Sequence, residues 1–462
     1  MCQFYGSVFF EHVGCSNTPE ERRMSQGASI SYHDALKAYN HGFKKKALTI
    51  LRESQLQDID SRILYGIVLR SIGRYELAEV LYKRLLAEHP NNHAILLNLS
   101  NVLIDVGRPE QAILLLESIP TPSIQIQRTL ALSYFYSNAF DKAEALFLDL
   151  AGEVPANIDF KWHLALCLLF QGKLLESWEH YEARKYLPEY GQQQFDDKPW
   201  TKSEDLSNRK VLIYTEQGYG DNIQFARFLP VLVSVGAQVC VVTRPALTRL
   251  FSTIPDIEVV ERANQDGFDY VASLLSLPYA FGISPERLRE LNPSVFNIEL
   301  KKSSTDAIKV AIVWSGKMTP KDRSIPLSKL LFLLTYPEIE LHSLQIDSKK
   351  SELDESMIPP GMIVDHSSSV SNFYDSAMVM KEMDMVISID SAPLHLAASL
   401  GVETIGLLLF HSDWRWLDDK EYSIWYPKTK LIRQESYGDW HGAAKKLEDY
   451  IEQRLLGSDS PQ

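Results

Sequence analysis

The sequence predicts an α + α/β chain: an N-terminal superhelix of stacked helix pairs over residues 28–190, then two Rossmann-like α/β lobes at 208–302 and 303–457. Three observations carry this expectation. Small residues recur in two phased series through the first half. Apolar β-branched runs alternate with helical segments through the second half. Late in the chain, Ser388-Ile-Asp-Ser-Ala-Pro-Leu-His-Leu-Ala-Ala-Ser-Leu-Gly401 reads as the end of a strand, a tight turn and a helix.

The chain has 462 residues, 45% of them hydrophobic, enough for several soluble domains. Its formal net charge of -13 argues against a nucleic-acid partner, which would reward dense Lys and Arg on one face. Cys2, Cys15, Cys167 and Cys240 lack paired spacing, which points to a reducing, cytoplasmic setting without a disulfide framework or zinc site. No apolar run approaches the ~20 residues of a membrane helix. Residues 1–27 read as a loose tail without the basic region of a signal peptide, and Met24 is an alternative start.

Gly42, Gly73, Gly107, Asn138 and Gly172 are separated by steps of 31, 34, 31 and 34 residues. Each is followed five residues later by a small residue, Ala47, Ala78, Ala112, Ala143 and Ser177. A second series, Ala35, Gly66, Ser100, Ala131 and Ala165, lies twelve residues before the first in every case. Small residues at both places let paired helices approach closely, the Gly or Asn makes the turn, and Tyr82, Phe147 and Tyr181 fill the gaps. Pro90 and Pro155 end second helices. The pattern resembles the tetratricopeptide repeat and implies five helix pairs with a concave face that docks a protein or glycan acceptor or forms a homo-oligomer.

Residues 191–207 form a connector mixing Gly, Pro and polar residues, with Tyr190, Pro199 and Trp200 expected to pack it down. Lys210–Tyr214 then reads as a strand, Gln217, Gly218, Gly220 and Asp221 as a loop, Ile223–Val235 as a helix ended by Gly236, and Gln238–Thr243 as a second strand. Asp221 would project into the crevice at the strand ends, or cap a helix beginning at Asn222. The second alternation passes through Ile308–Trp314, Ile339–Leu344, Met385–Ile389, Glu403–Leu409 and Leu431–Ile432, and closes with a helix over Trp440–Leu455.

At the late turn, Pro393 suits a first helical turn, and Asp390 and Ser391 precede backbone N–H groups that either receive an ordinary cap or bind an anion. His395 taken alone reads as a packed helix residue. Asp58-Ile-Asp60, the one Asp-x-Asp, falls in the repeats and reads as solvated rather than as a divalent-ion site.

The segment from Asp390 resembles the Asp-(Thr/Ser)-Gly-x-x-His-Leu-Ala-Ala motif of the ADP-heptose heptosyltransferase family, with Ala392 where that family has Gly. The resemblance extends to Glu216–Phe225, Val313–Gly316 with Arg323–Leu327, Ser343–Gln345, and Asp413–Trp416 with Trp425–Pro427. Together these are similar to bacterial tetratricopeptide proteins bearing a heptosyltransferase-like domain of the two-lobed GT-B architecture, whose last helix returns to the first sheet. What the resemblance implies is a metal-independent transfer from a nucleotide-diphosphate sugar, a co-substrate rather than a cofactor. It implies Asp221 as general base and a basic group for the leaving diphosphate. Lys317, Lys321 and Arg323 offer that group, and Arg323 is favoured because Ile325-Pro326 follows it. Ser315, Gly316, Asp390, Ser391, Ala392 and His395 would line the phosphate site. Gln345 would meet the base or ribose, or be a plain surface residue. Gln217, Gly218, Gly220, Asp413, Trp414 and Arg415 would line the acceptor or sugar pocket, while Trp416 and Trp425 read as core. A non-catalytic scaffold with a degenerate transferase-like domain is the rival expectation, and a nucleotide-sugar epimerase the third.

Overall fold

The computed structural model describes residues 30–54, 58–188, 195–200, 204–299, 307–317, 322–346, 351–355, 358–359, 361–417, 420–436 and 438–457. The expected tail with Cys2, Cys15 and Met24, and also Tyr190 and Lys321, lie outside the described residues.

Among the described residues, ten helices come first: α1 (Ile30–Asn40), α2 (Lys44–Glu53), α3 (Ile59–Ser71), α4 (Tyr75–Glu88), α5 (His93–Asp105), α6 (Pro109–Glu117), α7 (Ile124–Tyr136), α8 (Phe140–Glu153), α9 (Ile158–Phe170) and α10 (Leu174–Tyr181). Each predicted turn residue falls between two successive helices of this run. All five predicted turn residues, Gly42, Gly73, Gly107, Asn138 and Gly172, have φ between 62° and 80°, the left-handed region that Gly and Asn enter at least cost. The small residues of both series are buried. The pairs α1–α2, α3–α4, α5–α6 and α7–α8 pack internally, and α1, α3, α5 and α7 also pack on one another in sequence. Asp58 is not solvated as expected: its carboxylate caps α3, accepting from the Ser61 N–H at 2.7 Å.

The chain divides into two compact units, residues 1–167 with 186–189, and 168–185 with 190–462. The division thus falls inside α9 rather than near residue 190, because α10 builds into the second unit. There the Trp178 indole donates to the Ile283 carbonyl at 2.7 Å and packs edge-on against Phe225, Trp414 and Trp425.

Among its described residues the second unit holds two all-parallel sheets. The first, β1 (Lys210–Tyr214), β2 (Gln238–Val242), β3 (Ile257–Val260) and β4 (Tyr270–Ser273), has the order β3-β2-β1-β4. The second, β5 (Ile308–Val313), β6 (Ile339–Ser343), β7 (Ile363–Asp365), β8 (Met385–Ile389), β9 (Glu403–Leu408) and β10 (Thr429–Arg433), has the order β10-β9-β8-β5-β6-β7. Continuous apolar runs such as Met385–Ile389 suit strands covered on both faces. Order reverses between β1 and β4 and between β5 and β8, so each sheet opens a crevice at those strand ends. From the connector, Lys198 bridges Val271 beside β4 and Trp200 is buried against Tyr270 and Phe281.

The intervening helices are α11 (Tyr219–Phe225), α12 (Leu229–Ser234), α13 (Pro245–Phe251), α14 (Leu277–Phe281), α15 (Pro285–Glu290), α16 (Ser351–Glu355), α17 (Phe373–Glu382), α18 (Ala392–Ser399) and α19 (Trp440–Leu455). Two expectations need correction. The helix over Ile223–Val235 is instead α11 and α12, joined by a 3₁₀ turn at Ala226–Phe228, because Pro230 in the first turn of α12 has no N–H to continue the ladder. The closing helix does not return to the first sheet: Ala443, Leu447 and Ile451 of α19 join the core of the second sheet with Ile312 and Ile432, and Arg454 and Tyr450 bind Glu403 of β9.

Gly66 gives a test of the repeat packing. A Cβ there would sit 2.3 Å from Cζ of Tyr82, which is fully buried and donates its hydroxyl to the Ile63 carbonyl at 2.9 Å. Gly66→Ala is expected to lower stability by roughly 1–3 kcal/mol, overriding its helix preference of about 1 kcal/mol. Urea denaturation of Gly66→Ala alone and with Tyr82→Leu measures this, and most of the loss should vanish in the double variant.

Candidate active site

Both crevices face one another across α11 and α18. The β1 strand passes into Thr215-Glu216-Gln217 and α11, and Gln217 takes φ 57° to make the turn. Gly220, in the first turn of α11, abuts α18: a Cβ on it would lie 2.8 Å from Cδ2 of His395 and 3.4 Å from Cα of Ala392. Only glycine permits this approach. The early loop and the late helix mouth are therefore neighbours, as the resemblance implies, but the interval at Gly220 is packed rather than open.

Asp221 does not simply project into the crevice, nor does it cap a helix starting at Asn222. It sits in the first turn of α11, and one carboxylate oxygen accepts from the Gly218 N–H at 2.9 Å, the return arm of a capping box. The other accepts from Nη2 of Arg415 at 2.5 Å. Withdrawal from water raises the Asp221 pKa above the ordinary carboxylate value, Arg415 opposes this, and Asp413 and Asp390 add to it.

On the second lobe, Arg323 donates to Asp390 at 3.1 Å, at the mouth of α18. Its pKa is raised: Asp390, Asp413 and Asp221 outweigh the burial that would lower it. Ser391 is the N-cap residue of α18, but no side chain caps this helix, so ordinary capping is not how Asp390 and Ser391 are used. The Ser391 hydroxyl is within 3.1 Å of that of Ser388. Ser315 is buried, with its hydroxyl 3.2 Å from that of Ser324, and Gly316 lies against Ile389.

Several expected contacts are relocated. Gln345 is neither a surface residue nor turned to a base or ribose: it is buried, its carbonyl accepting from the Trp314 and Ser315 N–H groups at 3.1 and 2.9 Å and its amide donating to the Ser315 carbonyl. It pins the loop after β5. Trp414 lines no sugar pocket, since it is buried among Trp178, Tyr181 and Trp425. Lys317 is exposed and shares in none of these hydrogen bonds among the described residues. Trp416 and Trp425 are core, as expected. His395 is buried, stacked on Trp416 with centroids 5.1 Å apart, and its Nδ1 meets the Tyr426 hydroxyl at 3.2 Å.

Sequence reasoning missed the brace behind the glycine loop. Arg184, just after α10 and fully buried, bonds Glu216 at 2.7 Å, Glu182 at 2.6 Å and Ser276 at 2.9 Å, while Ser273 at the end of β4 donates to Glu216. Gln224 was missed too: its side-chain oxygen accepts from Nε of Arg415 at 2.7 Å. Burial of a lone Arg has no local signal. Gln224 faces the crevice three residues after Asp221, at the spacing of one helix face.

Two parallel sheets with their switch points turned together are the architecture of two-lobed nucleotide-sugar transferases. Residues 371–430, spanning α17 through β10, match the model of glycosyltransferase family 9 (heptosyltransferase), and residues 70–122 match a tetratricopeptide repeat model. The chain thus joins tetratricopeptide repeats to a heptosyltransferase-like domain. It is 25% identical over 442 residues to protein FlbA of Caulobacter vibrioides, covering 84% of this chain and 72% of that one. Among solved structures, a family 9 glycosyl transferase from Veillonella parvula aligns with 57% of this chain and 93% of its own, at 10% identity and a TM-score of 0.39. MamA from Desulfovibrio magneticus aligns with 36% of this chain and 96% of its own, at 18% identity and a TM-score of 0.31. Among the described residues, no helix is long and apolar enough to cross a membrane.

The site's electrostatics can be read through His395. Burial, reinforced by Arg415, lowers its pKa from 6.5 to about 3, so the folded protein holds it neutral while the unfolded chain protonates it. Its contribution to stability is complete above pH ~6.5 and is lost progressively as pH falls toward ~3. Thermal melts from pH 7.5 to 5 should show a fall in melting temperature that His395→Gln makes shallower.

Proposed function

We propose that the second unit is a glycosyltransferase that moves a sugar from a nucleotide-diphosphate donor to an acceptor held on the repeats. The observation that supports this best is the convergence of Asp221, from the first lobe, and Arg323, from the second, on the uncapped mouth of α18. The donor's diphosphate would lie at that mouth, where Arg323 and the positive end of the helix dipole favour an anion. The acceptor hydroxyl oxygen attacks the anomeric carbon and passes its proton to Asp221. The bond from that carbon to the diphosphate breaks with its electron pair, and Arg323 stabilises the charge left on phosphate. No metal ion is assigned a step, since Arg323 fills the role of counter-charge. Cys167 and Cys240, both buried and without paired spacing, suit a cytoplasmic setting.

One observation favours a second reading, a nucleotide-binding scaffold without turnover. Both oxygens of Asp221 are engaged, and Gly220 touches His395 and Ala392 where an acceptor would pass.

A panel of nucleotide sugars, assayed for donor hydrolysis and for transfer, separates the two. The transferase reading expects turnover with one donor, lost at least 100-fold in Asp221→Ala and about 100- to 1000-fold in Arg323→Ala. Nucleotide binding by calorimetry with no turnover for any donor would establish the scaffold, and full activity in Asp221→Ala would remove the assigned base.

A further inference from the structure

Arg227 reaches the Trp425 carbonyl and Arg249 pairs with Asp375 between the two lobes, but one guanidinium gathers three partners beside the α18 mouth. Arg415, in the turn after β9, donates to Asp221 at 2.5 Å, to Gln224 at 2.7 Å and to Asp413 at 2.7 Å, and its plane lies 4.3 Å from the centre of the Trp414 ring. Asp221 and Gln224 belong to α11 of the first lobe, Asp413 to the second. The same Asp221 is the residue whose free carboxylate the proposed transfer needs. Its other oxygen already accepts from the Gly218 N–H, so with Arg415 in place the carboxylate has a partner on both sides and neither oxygen is open to an acceptor hydroxyl.

Arg415 also lies within electrostatic reach of the α18 mouth. Asp221 feels Asp413 and Asp390, and Arg323 feels Asp390, Asp413 and Asp221. Three carboxylates and two guanidiniums therefore share one small volume at the positive end of a helix. An entering diphosphate is a stronger multidentate acceptor for a guanidinium than one carboxylate oxygen, and Arg presents its donors in a planar fork that suits both.

We propose that Arg415 is a positioning residue that exchanges partners: it holds Asp221 while the site lacks donor and turns to the donor's diphosphate on binding, which frees Asp221 to take the acceptor's proton. This rests on the transferase reading above and adds an order to it, donor before proton transfer. Without donor, the base stays neutralised. With donor, the cation that silenced it helps Arg323 carry the charge of the leaving group, and the proton and electron pair move as already described.

The exchange has a signature that does not require turnover. Asp221 and diphosphate compete for Arg415, so the apparent affinity for diphosphate is reduced by the fraction of time that Arg415 is committed to Asp221. Inorganic pyrophosphate titrated calorimetrically into the full chain measures this. Asp221→Asn removes the competing charge at constant size and is expected to bind pyrophosphate about tenfold more tightly than the unaltered protein. Arg415→Gln is expected to bind at least tenfold more weakly, and the double variant to match Arg415→Gln. If Asp221→Asn binds no more tightly than the unaltered chain, if the double variant keeps the gain, or if no form binds pyrophosphate, the exchange is overturned. Should Arg415→Gln fail to fold, Asp221→Asn and Arg415→Lys carry the test, the lysine variant expected to lose affinity because it lacks the fork. Donor turnover is scored separately: the affinity pattern without turnover would sustain the exchange and sink the transferase reading.

Discussion

The Arg415 guanidinium sets how the two lobes meet. It is 7% exposed, and each of its three nitrogen positions reaches an oxygen, two of them on the opposite lobe. Taking such a cation from water is costly, and only complete pairing offsets that cost. The pair is thus poor grounds for expecting net stability, but strong grounds for a defined geometry: displacing one lobe by an ångström or two would leave a buried charge without its partner. Gly220 enforces the same registration sterically, since any side chain there would meet His395. Charge and shape both require one closed arrangement of α11 on α18.

The apolar counterpart of this polar tie is the cluster of Trp178, Phe225, Trp414 and Trp425, with centroids 5.8–6.5 Å apart, most of them edge-on. Phe225 comes from the first lobe and Trp414 and Trp425 from the second, while Trp178 comes from a helix that by sequence belongs to the repeats. Aromatic pairs in such arrangements contribute about 0.5–1.5 kcal/mol each beyond their buried area. Helix α10 is in this sense a structural member of the two-lobed unit, and the sequence boundary between repeat and lobe is not the physical one.

That boundary shows which features a linear reading can reach. The repeat register was legible because it is written in local chemistry: a Gly or Asn turn with φ near 70°, and small residues at fixed offsets wherever helices touch. Strands β1, β2, β5, β6, β8 and β9 were legible as apolar runs. The third and fourth strands, Ile257–Val260 and Tyr270–Ser273, and the seventh, Ile363–Asp365, escaped because they are short and, for β3 and β7, partly solvated at sheet edges. The candidate site was legible as a set of residues but not as a set of pairings. Asp221, Asp390, Arg323 and Arg415 were all singled out, yet Asp221 and Arg415 are 194 positions apart, and no spacing rule joins them. For the same reason Gln345 was misread, since its partners Trp314 and Ser315 lie 31 and 30 residues away in the loop after a neighbouring strand.

The arginines on either side of the glycine loop make the final distinction. Arg184 is fully buried behind the loop, bonded to Glu182, Glu216 and Ser276, and these fix the end of β1 against the end of β4. Fully buried itself and bonded through each of its three nitrogens, it acts as a brace. Arg415 has equally strong partners, but the α18 mouth beside it is uncapped. The cluster there carries three carboxylates against two guanidiniums, with the positive end of the helix dipole as the balancing field. A polyanion arriving at such a place does not need to order cations out of solvent. It finds them already aligned by carboxylates that it can replace, and preorganisation of this kind is where enclosed sites draw most of their electrostatic advantage over water.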